Sequence, residues 1–426
     1  MKQLNERFQY IAITRHLLRW TLFCIPLSFF VGSLVALFLW LLDEATNLHW
    51  QYPWLLFLLP VSGVLIWFMY KYSGRNAEAG NNLIIDEIHQ PGGGVPGRMG
   101  PLVLATTLIT HLFGGSAGRE GTAVQMGGSI AAKLSQWLKL NDQDKSVLLI
   151  CGIAAGFGAV FGTPVTGAIF ALEVLLIGRI NLQALLPCLM ASLLSDVICS
   201  AYGIHHTQYH IGSVIPSFSD ITGLKSNAQL LLIVIVSGVL SGLTAFSFAT
   251  LTHAIKKTAN RLIKTQWLIP VLGGCFIIGL TMMLGTRDYL GLGVTNPEGG
   301  VSIVSSFQQG GAGYFSWFWK LLFTAVTLGT GFKGGEVTPL FFIGAALGNA
   351  IGMITGAPVD LMAGLGFIAV FAGATNTPIA STIMGIELFG GEYAIWYAIA
   401  SFTAFYFSGN SGIYTAQRSG VSKWGS

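Results

Sequence analysis

Charged side chains are what this sequence has least of: they make up 9% of its 426 residues, where a soluble globular domain carries roughly a quarter. With 53% apolar residues and 55 glycines beside that scarcity, a water-soluble enzyme is excluded and an all-α integral membrane protein is expected. Cysteine is scarce too. Cys24, Cys151, Cys188, Cys199 and Cys275 lie scattered through apolar stretches without ligand spacing, which argues against a disulfide framework or a zinc site and leaves them as small apolar packing. No metal or cofactor is expected. Basic tracts interleaved with aromatics are missing as well: Lys256, Lys257, Arg261 and Lys264 follow an apolar span, so they read as a membrane flank and nucleic acid is not an expected partner. The apolar segments hold no Ser-His pair, paired Asp or His-x-x-x-His arrangement, so the chain is not read as an intramembrane enzyme.

What is present is a set of long apolar runs. Trp20 to Leu42 and Leu230 to Leu251 contain no charged residue, and each is long enough to cross a hydrocarbon core of about 30 Å. The first exceeds the apolar region of about 7–15 residues found in signal peptides, so it is expected to stay in the mature protein. Lys2, Arg7, Arg15 and Arg19 precede it, and Lys71 and Arg75 follow a second apolar segment from Trp54 to Tyr70. Excess Lys and Arg marks cytoplasmic flanks, which places the N-terminus inside.

Beyond Tyr70 the pattern breaks up. Gly80 to His89 is too short and too polar to span, and Pro91 to Gly97 ends it, so it reads as a partial helix. An apolar run from Leu102 to Phe113 leads into Gly114-Gly115-Ser116-Ala117-Gly118-Arg119-Glu120-Gly121-Thr122, an irregular segment feeding a helix that begins near Gly121 and runs to about Leu140. Asp142, Asp144 and Lys145 read as a polar turn, and Val147 to Leu176 as two short helices broken at Gly162-Thr163-Pro164. The stretch from His205 to Leu224 is polar and holds Pro216; His205, His206 and His210 in it lack acidic or cysteine partners nearby and read as a solvated loop rather than a metal site.

The second half replays the first. Phe157, Thr163-Pro164, Ile169 and Glu173 are matched by Phe371, Thr377-Pro378, Ile383 and Glu387, and Gly118, Glu120 and Thr122 by Gly334, Glu336 and Thr338, in the same order and nearly the same spacing. Asn296-Pro297-Glu298 is a weaker counterpart of Gly80-Asn81-Asn82. Paired Gly/Pro-broken segments in two halves mark a secondary transporter with its site at the repeat interface. The expected division is residues 1–204 as the first membrane repeat, 205–227 as a linker and 228–426 as the second repeat.

Glu120 is the candidate working residue, because a carboxylate inside a membrane is costly and one at a helix start occupies a ready anion site. Adjacent residues on a helix do not face one another, which argues against simple neutralisation by Arg119. The symmetric Glu173 and Glu387 read as structural. Glu336 either caps a second Gly-rich helix start, with Lys333 as a possible partner, or stands in an ion path. Tyr414, after Gly409-Asn410-Ser411-Gly412, is either an interfacial anchor or a hydroxyl donor to an anion.

The run Gly118-Arg119-Glu120-Gly121-Thr122 followed by Val124-Gln125 and Gly127-Gly128 closely resembles the gating-glutamate motif of the CLC chloride channel and antiporter family. The likeness extends through Gly162-Thr163-Pro164, Gly334 to Pro339 and Tyr414, and so covers nearly the whole chain. The resemblance implies two inverted-topology repeats of tilted and broken helices, a homodimer in the plasma membrane with a pathway in each subunit, Glu120 as external gate and proton carrier, and Tyr414 as an inner donor. It also implies that helix ends at Asn81, Gly121 and Val337 surround the anion. Several positions depart from the common pattern. Asn81 stands for the usual serine, Thr122 for the motif proline, Val337 for the phenylalanine with Glu336 before it, and Val174 for the inner proton-transfer glutamate. This set resembles the fluoride-exporting clade of CLC antiporters, which implies fluoride and protons as the transported ions and Asn81, Gly121, Thr122, Glu336, Val337 and Tyr414 as the anion-binding set. A chloride/proton antiporter or chloride channel of the same family is the alternative.

Overall fold

A computed structural model describes residues 2–213, 224–410, 412–420 and 423. Two sets of eight helices account for nearly all regular structure among them. The first set is α1 (Lys2–Gln51), α2 (Leu59–Met69), α3 (Asn81–His89), α4 (Met99–Leu112), α5 (Glu120–Trp137), α6 (Asp142–Phe161), α7 (Pro164–Glu173) and α8 (Leu185–Ala201). The second is α9 (Leu224–Leu262), α10 (Leu268–Leu284), α11 (Ile303–Ser306), α12 (Ser316–Gly329), α13 (Val337–Thr355), α14 (Val359–Thr375), α15 (Pro378–Phe389) and α16 (Ala394–Phe407). Each set opens with its longest helix and has its shortest in third place, so the repetition in the sequence is a repetition of architecture. The proposed linker residues 214–223, including Pro216, and Ser411 of the polar break before Tyr414 lie outside the described residues.

Local chemistry places the breaks. Gly162, at φ 71°, ends α6 in the left-handed conformation that closes a helix, and Asn376, at φ 58°, ends α14 in the same way. Two residues later Pro164 and Pro378 open α7 and α15, as proline at the first helical turn removes an N–H that would be unpaired there anyway. Two expectations need correction. Asp142 to Lys145 is the first turn of α6 rather than a loop, because the Asn141 side chain accepts from Asp144 N and caps the helix. As a result α6 is a full 20-residue helix, not a short one. The second half's partial helix is α11, which begins beyond the Asn296-Pro297-Glu298 stretch and is opened by a reciprocal cap between Ser302 and Ser305.

Among the described residues six helical segments are long and apolar enough to cross a membrane, and the outward faces of the bundle carry exposed Leu22, Phe29, Trp40, Leu232 and Phe276, which a lipid surround would leave without penalty. The helices that carry the candidate site lie deepest. Most residues of α5 and all of α13 up to Gly352 are buried. Glycine lets these central helices touch backbone to backbone, as small residues do in membrane bundles: a Cβ added to Gly127 of α5 would sit 2.0 Å from the Gly152 carbonyl oxygen of α6, and one on Gly344 of α13 would sit 2.1 Å from the Gly366 oxygen of α14. The contact is thus built twice, once per repeat. Four of the five cysteines are buried, with Cys151 Sγ 3.9 Å from Cys188 Sγ, and Cys275 is exposed.

Gly127→Ala and Gly344→Ala are each expected to destabilise the protein by about 1–3 kcal/mol through overpacking. Gly279→Ala, where nothing lies within 4 Å of the added carbon, serves as the control. Thermal midpoints in detergent should fall for the first two and hold for the third.

Candidate functional site

The N-termini of α5 and α13 meet at the centre of the bundle. The loops feeding them are joined by a two-residue antiparallel bridge, Gly118 N to Gly335 O at 2.6 Å and Gly335 N to Gly118 O at 2.7 Å. This approach requires glycine at 118, since a Cβ there would lie 2.7 Å from Glu120 Oε2 and 3.0 Å from Gly335 O. Across the bridge the Glu120 side chain, 1% exposed, reaches the start of the other repeat's helix. Its Oε2 accepts from Thr338 N at 3.0 Å and from Arg119 N at 3.1 Å, and its Oε1 accepts from the Thr338 hydroxyl. The carboxylate therefore sits where a free anion would bind, at the positive end of α13. Protonation would remove the charge that holds it there.

Arg119 corrects one expectation. It precedes α5 instead of lying on it, so the geometry that separates helical neighbours does not apply, and its Nε comes to 3.8 Å from Glu120 Oε1. That nitrogen is buried without a hydrogen-bond partner. The attraction is coulombic, while the hydrogen bonds of Glu120 all come from backbone N–H groups and Thr338.

Asn81, Glu336 and Tyr414 line a single cavity of about 160 Å³, together with Gly80, Gln125 and Lys333. Tyr70, just past α2, and Lys256, toward the end of α9, also face it. Gly80, at φ 58°, turns the chain into α3, and Asn81 Nδ2 lies 3.1 Å from where a Cβ on Gly121 would be, while its buried Oδ1 has no partner. Glycine at 121 is what allows Asn81, Gly335 and Glu336 to crowd against the start of α5. Glu336 makes no capping bond to α13, and Lys333 places its Nζ 4.3 Å over the Tyr70 ring instead of pairing with it. Tyr414 is buried and lies edge-on to Phe170 at 6.4 Å, a position incompatible with an interfacial anchor. Val337, 1% exposed, is the first residue of α13. Thr122 stands apart from this cavity: its hydroxyl pairs with Thr107 at 2.7 Å and fastens α5 to α4.

Glu120 itself lines a crevice of about 20 Å³ with Arg119, His206, Thr207, Tyr209 and Thr338. Beyond Arg119 lies a larger cavity of about 340 Å³, lined by His49 and Trp50 at the end of α1 and by Asp288 and Leu290 to Pro297. Glu120 thus stands between the small cavity that holds Asn81 and Tyr414 and the space that opens past Arg119.

The sequence profile of the family described as voltage gated chloride channel matches residues 61–409. The chain belongs to the CLC family. It is 46% identical over 420 residues, 98% of this chain and 90% of the relative, to the chloride/fluoride channel protein of Pseudomonas syringae pv. tomato. It is 28% identical to the voltage-gated ClC-type chloride channel ClcB of Escherichia coli, over 83% of each chain. A CLC-type fluoride/proton antiporter superposes with a TM-score of 0.87 at 31% identity, covering 95% of this chain and 98% of that one. A slow cyanobacterial Cl⁻/H⁺ antiporter, at 18% identity and a TM-score of 0.75 over 93% and 96%, shares the fold. The architecture described above is therefore the CLC arrangement of two inverted repeats in an integral, multi-pass membrane protein.

Within this CLC fold two further glutamates join the repeats. Glu173, ending α7, accepts from Ile379 N at 3.0 Å and Ala380 N at 2.8 Å at the start of α15. Glu387 of α15 returns the contact, accepting from Val165 N at 3.0 Å and from Thr166 N at 2.8 Å at the start of α7. These reciprocal helix-start contacts accord with the structural reading drawn from their symmetry in the sequence. Thr338 and His206 are the site residues that sequence reasoning passed over. Thr338 appears there only as a repeat marker, although a hydroxyl on the second residue of a helix after a Gly-rich loop is a donor placed beside free N–H groups. His206 is not on a solvated loop; it is part-buried, and a Cβ on Gly162 would meet its ring at 2.4 Å. Among the described residues no three His, Cys, Asp or Glu side chains converge as metal ligands.

Glu173→Gln and Glu387→Gln should each lower stability by about 0.5–2 kcal/mol by removing negative charge from a helix start. Ion selectivity in flux assays should be unchanged in both, which separates these caps from Glu120.

Proposed function

We propose that this CLC protein is a proton-coupled antiporter that exports fluoride from the cytoplasm in exchange for protons. The observation that carries the reading is the Glu120 carboxylate docked on the N-terminus of α13 between the two cavities. An acid that holds an anion site when charged and releases it when protonated couples the two ions by exclusion. Glu120 is then the gate and proton carrier. The anion meets Asn81, Tyr414, the backbone at Gly121 and Val337, and the neighbouring Glu336, while Thr122 acts by holding α5 in place. Val174 stands where an inner proton-transfer glutamate is common in the family, and Glu336 supplies a carboxylate on that side.

Fluoride is favoured by chemistry and by likeness. A small ion that holds its water tightly needs close, strong donors to replace that shell, and the Asn81 Nδ2 amide, crowded against Gly121 at the start of α5, adds a donor where a larger halide needs fewer. Discrimination against the commoner ion needs a poorer fit for it as well, and Asn81 and Val337 are the altered positions. The fluoride named in the Pseudomonas syringae relative and in the structural neighbour at 31% identity supports the same ion. The chloride named in the Escherichia coli relatives makes a chloride/proton antiporter or channel the second reading. We further propose a homodimer in the plasma membrane lipid bilayer with the N-terminus and the Asn81 cavity facing the cytoplasm, repeats bounded at 1–204 and 228–426, and transport without an enzymatic reaction.

Purified protein in liposomes tests both ions. Fluoride efflux should move protons the other way and persist in tenfold excess chloride; equal chloride flux, or block by chloride, replaces this reading with the second. Glu120→Gln is expected to reduce proton-coupled exchange by about a hundredfold or more while the protein stays monodisperse.

A further inference from the structure

The crevice that holds Glu120 has a second titratable wall. His206 and Glu120 line the same space of about 20 Å³, enough for one water molecule, which needs about 10–15 Å³. His206 Nε2 lies 3.8 Å from Asp196 Oδ1 of α8, and both atoms are buried without a hydrogen-bond partner. The imidazole is fixed in place by backbone: its Cδ2 would lie 2.4 Å from a Cβ on Gly162, whose positive φ already favours glycine. With Nε2 turned to Asp196, Nδ1 is the ring nitrogen left for the crevice.

We propose that Asp196 and His206 form the outer proton relay that loads Glu120, an inference that rests on the proton-coupled reading above. A proton from the outer solution binds His206, and Asp196 stabilises the imidazolium. The crevice water then accepts the proton on one side as it gives one of its own to the Glu120 carboxylate on the other. Neutral histidine, water and a carboxylic acid result, and no charge is created. The acid no longer competes for the end of α13.

The charges around the relay are consistent with this direction. Burial, then the charges of Arg119 and His205, disfavour a proton resting on His206, the Asp196 carboxylate 3.8 Å away opposes them, Glu387 of α15 places a second carboxylate near Asp196, and Tyr209 lines the crevice with a phenol. The imidazolium is a state passed through, with Glu120 as the acceptor. His206 is then a proton-relay residue and Asp196 a positioning residue, since Asp196 acts through the ring.

The test is fluoride-driven proton flux in liposomes, with pH equal on both faces and varied from about pH 5.5 to about pH 8, a window around the ordinary histidine pKa. Without the relay, protons reach Glu120 only by direct encounter, so the deficit grows as protons become scarce. His206→Gln and Asp196→Asn should each slow exchange at least about tenfold at the alkaline end and match the parent at the acid end. The double variant should be no slower than either single one. Rates that fall equally at every pH, or that stay at parental values throughout, overturn the relay; Asp196→Asn carries the test if the His206 variant does not fold. A parent protein that moves fluoride without protons overturns the proposed function instead, and the relay with it.

Discussion

A helix that begins inside a membrane protein leaves N–H groups with no water to satisfy them, and this chain answers that constraint with carboxylates supplied across the repeat boundary. Glu173 serves α15, Glu387 serves α7 and Glu120 serves α13. The fourth broken helix is the exception. Among the described residues no side chain accepts from the first N–H groups of α5, and Glu336, the counterpart of Glu120, faces the Asn81 cavity instead. Three carboxylates thus serve four helix starts, and the pseudosymmetry that builds the scaffold fails at a single position, beside the Asn81 cavity.

The three carboxylates share one pattern of contacts. Glu173 accepts from two backbone N–H groups, and Glu387 and Glu120 each accept from two backbone N–H groups and one threonine hydroxyl, that of Thr166 and Thr338 respectively. Among the described residues Glu120 differs from the other two in its neighbour, Arg119, whose Nε lies 3.8 Å away without a hydrogen bond. One of its backbone donors, Arg119 N, also belongs to the loop before α5 and not to the helix start on which the carboxylate docks.

Much of this was legible in the sequence because it is local. Gly162-Thr163-Pro164 and Asn376-Thr377-Pro378 carry their own stop and start signals, and the pairing of Glu120 with Glu336 and of Glu173 with Glu387 follows from order and spacing. The site residues are partly legible: Asn81, Glu336 and Tyr414 do share a cavity. Thr122 does not join them, since a side chain next to a functional glycine need not share its surface, and its hydroxyl goes to Thr107. Thr338 and His206 escaped notice because their partners are supplied by folding; Thr338 is 218 positions from the carboxylate it binds. The length of α6 escaped notice because a capped first turn and a polar loop have the same composition.

The bridge between Gly118 and Gly335 also limits how this protein can move. It ties the loop before Glu120 to the loop before α13 by two short hydrogen bonds at the core, so rocking one repeat against the other, as many inverted-repeat transporters do, would have to break both. Under the proposed antiport, access would then change by movement of side chains such as Glu120 within a backbone frame that this bridge holds fixed.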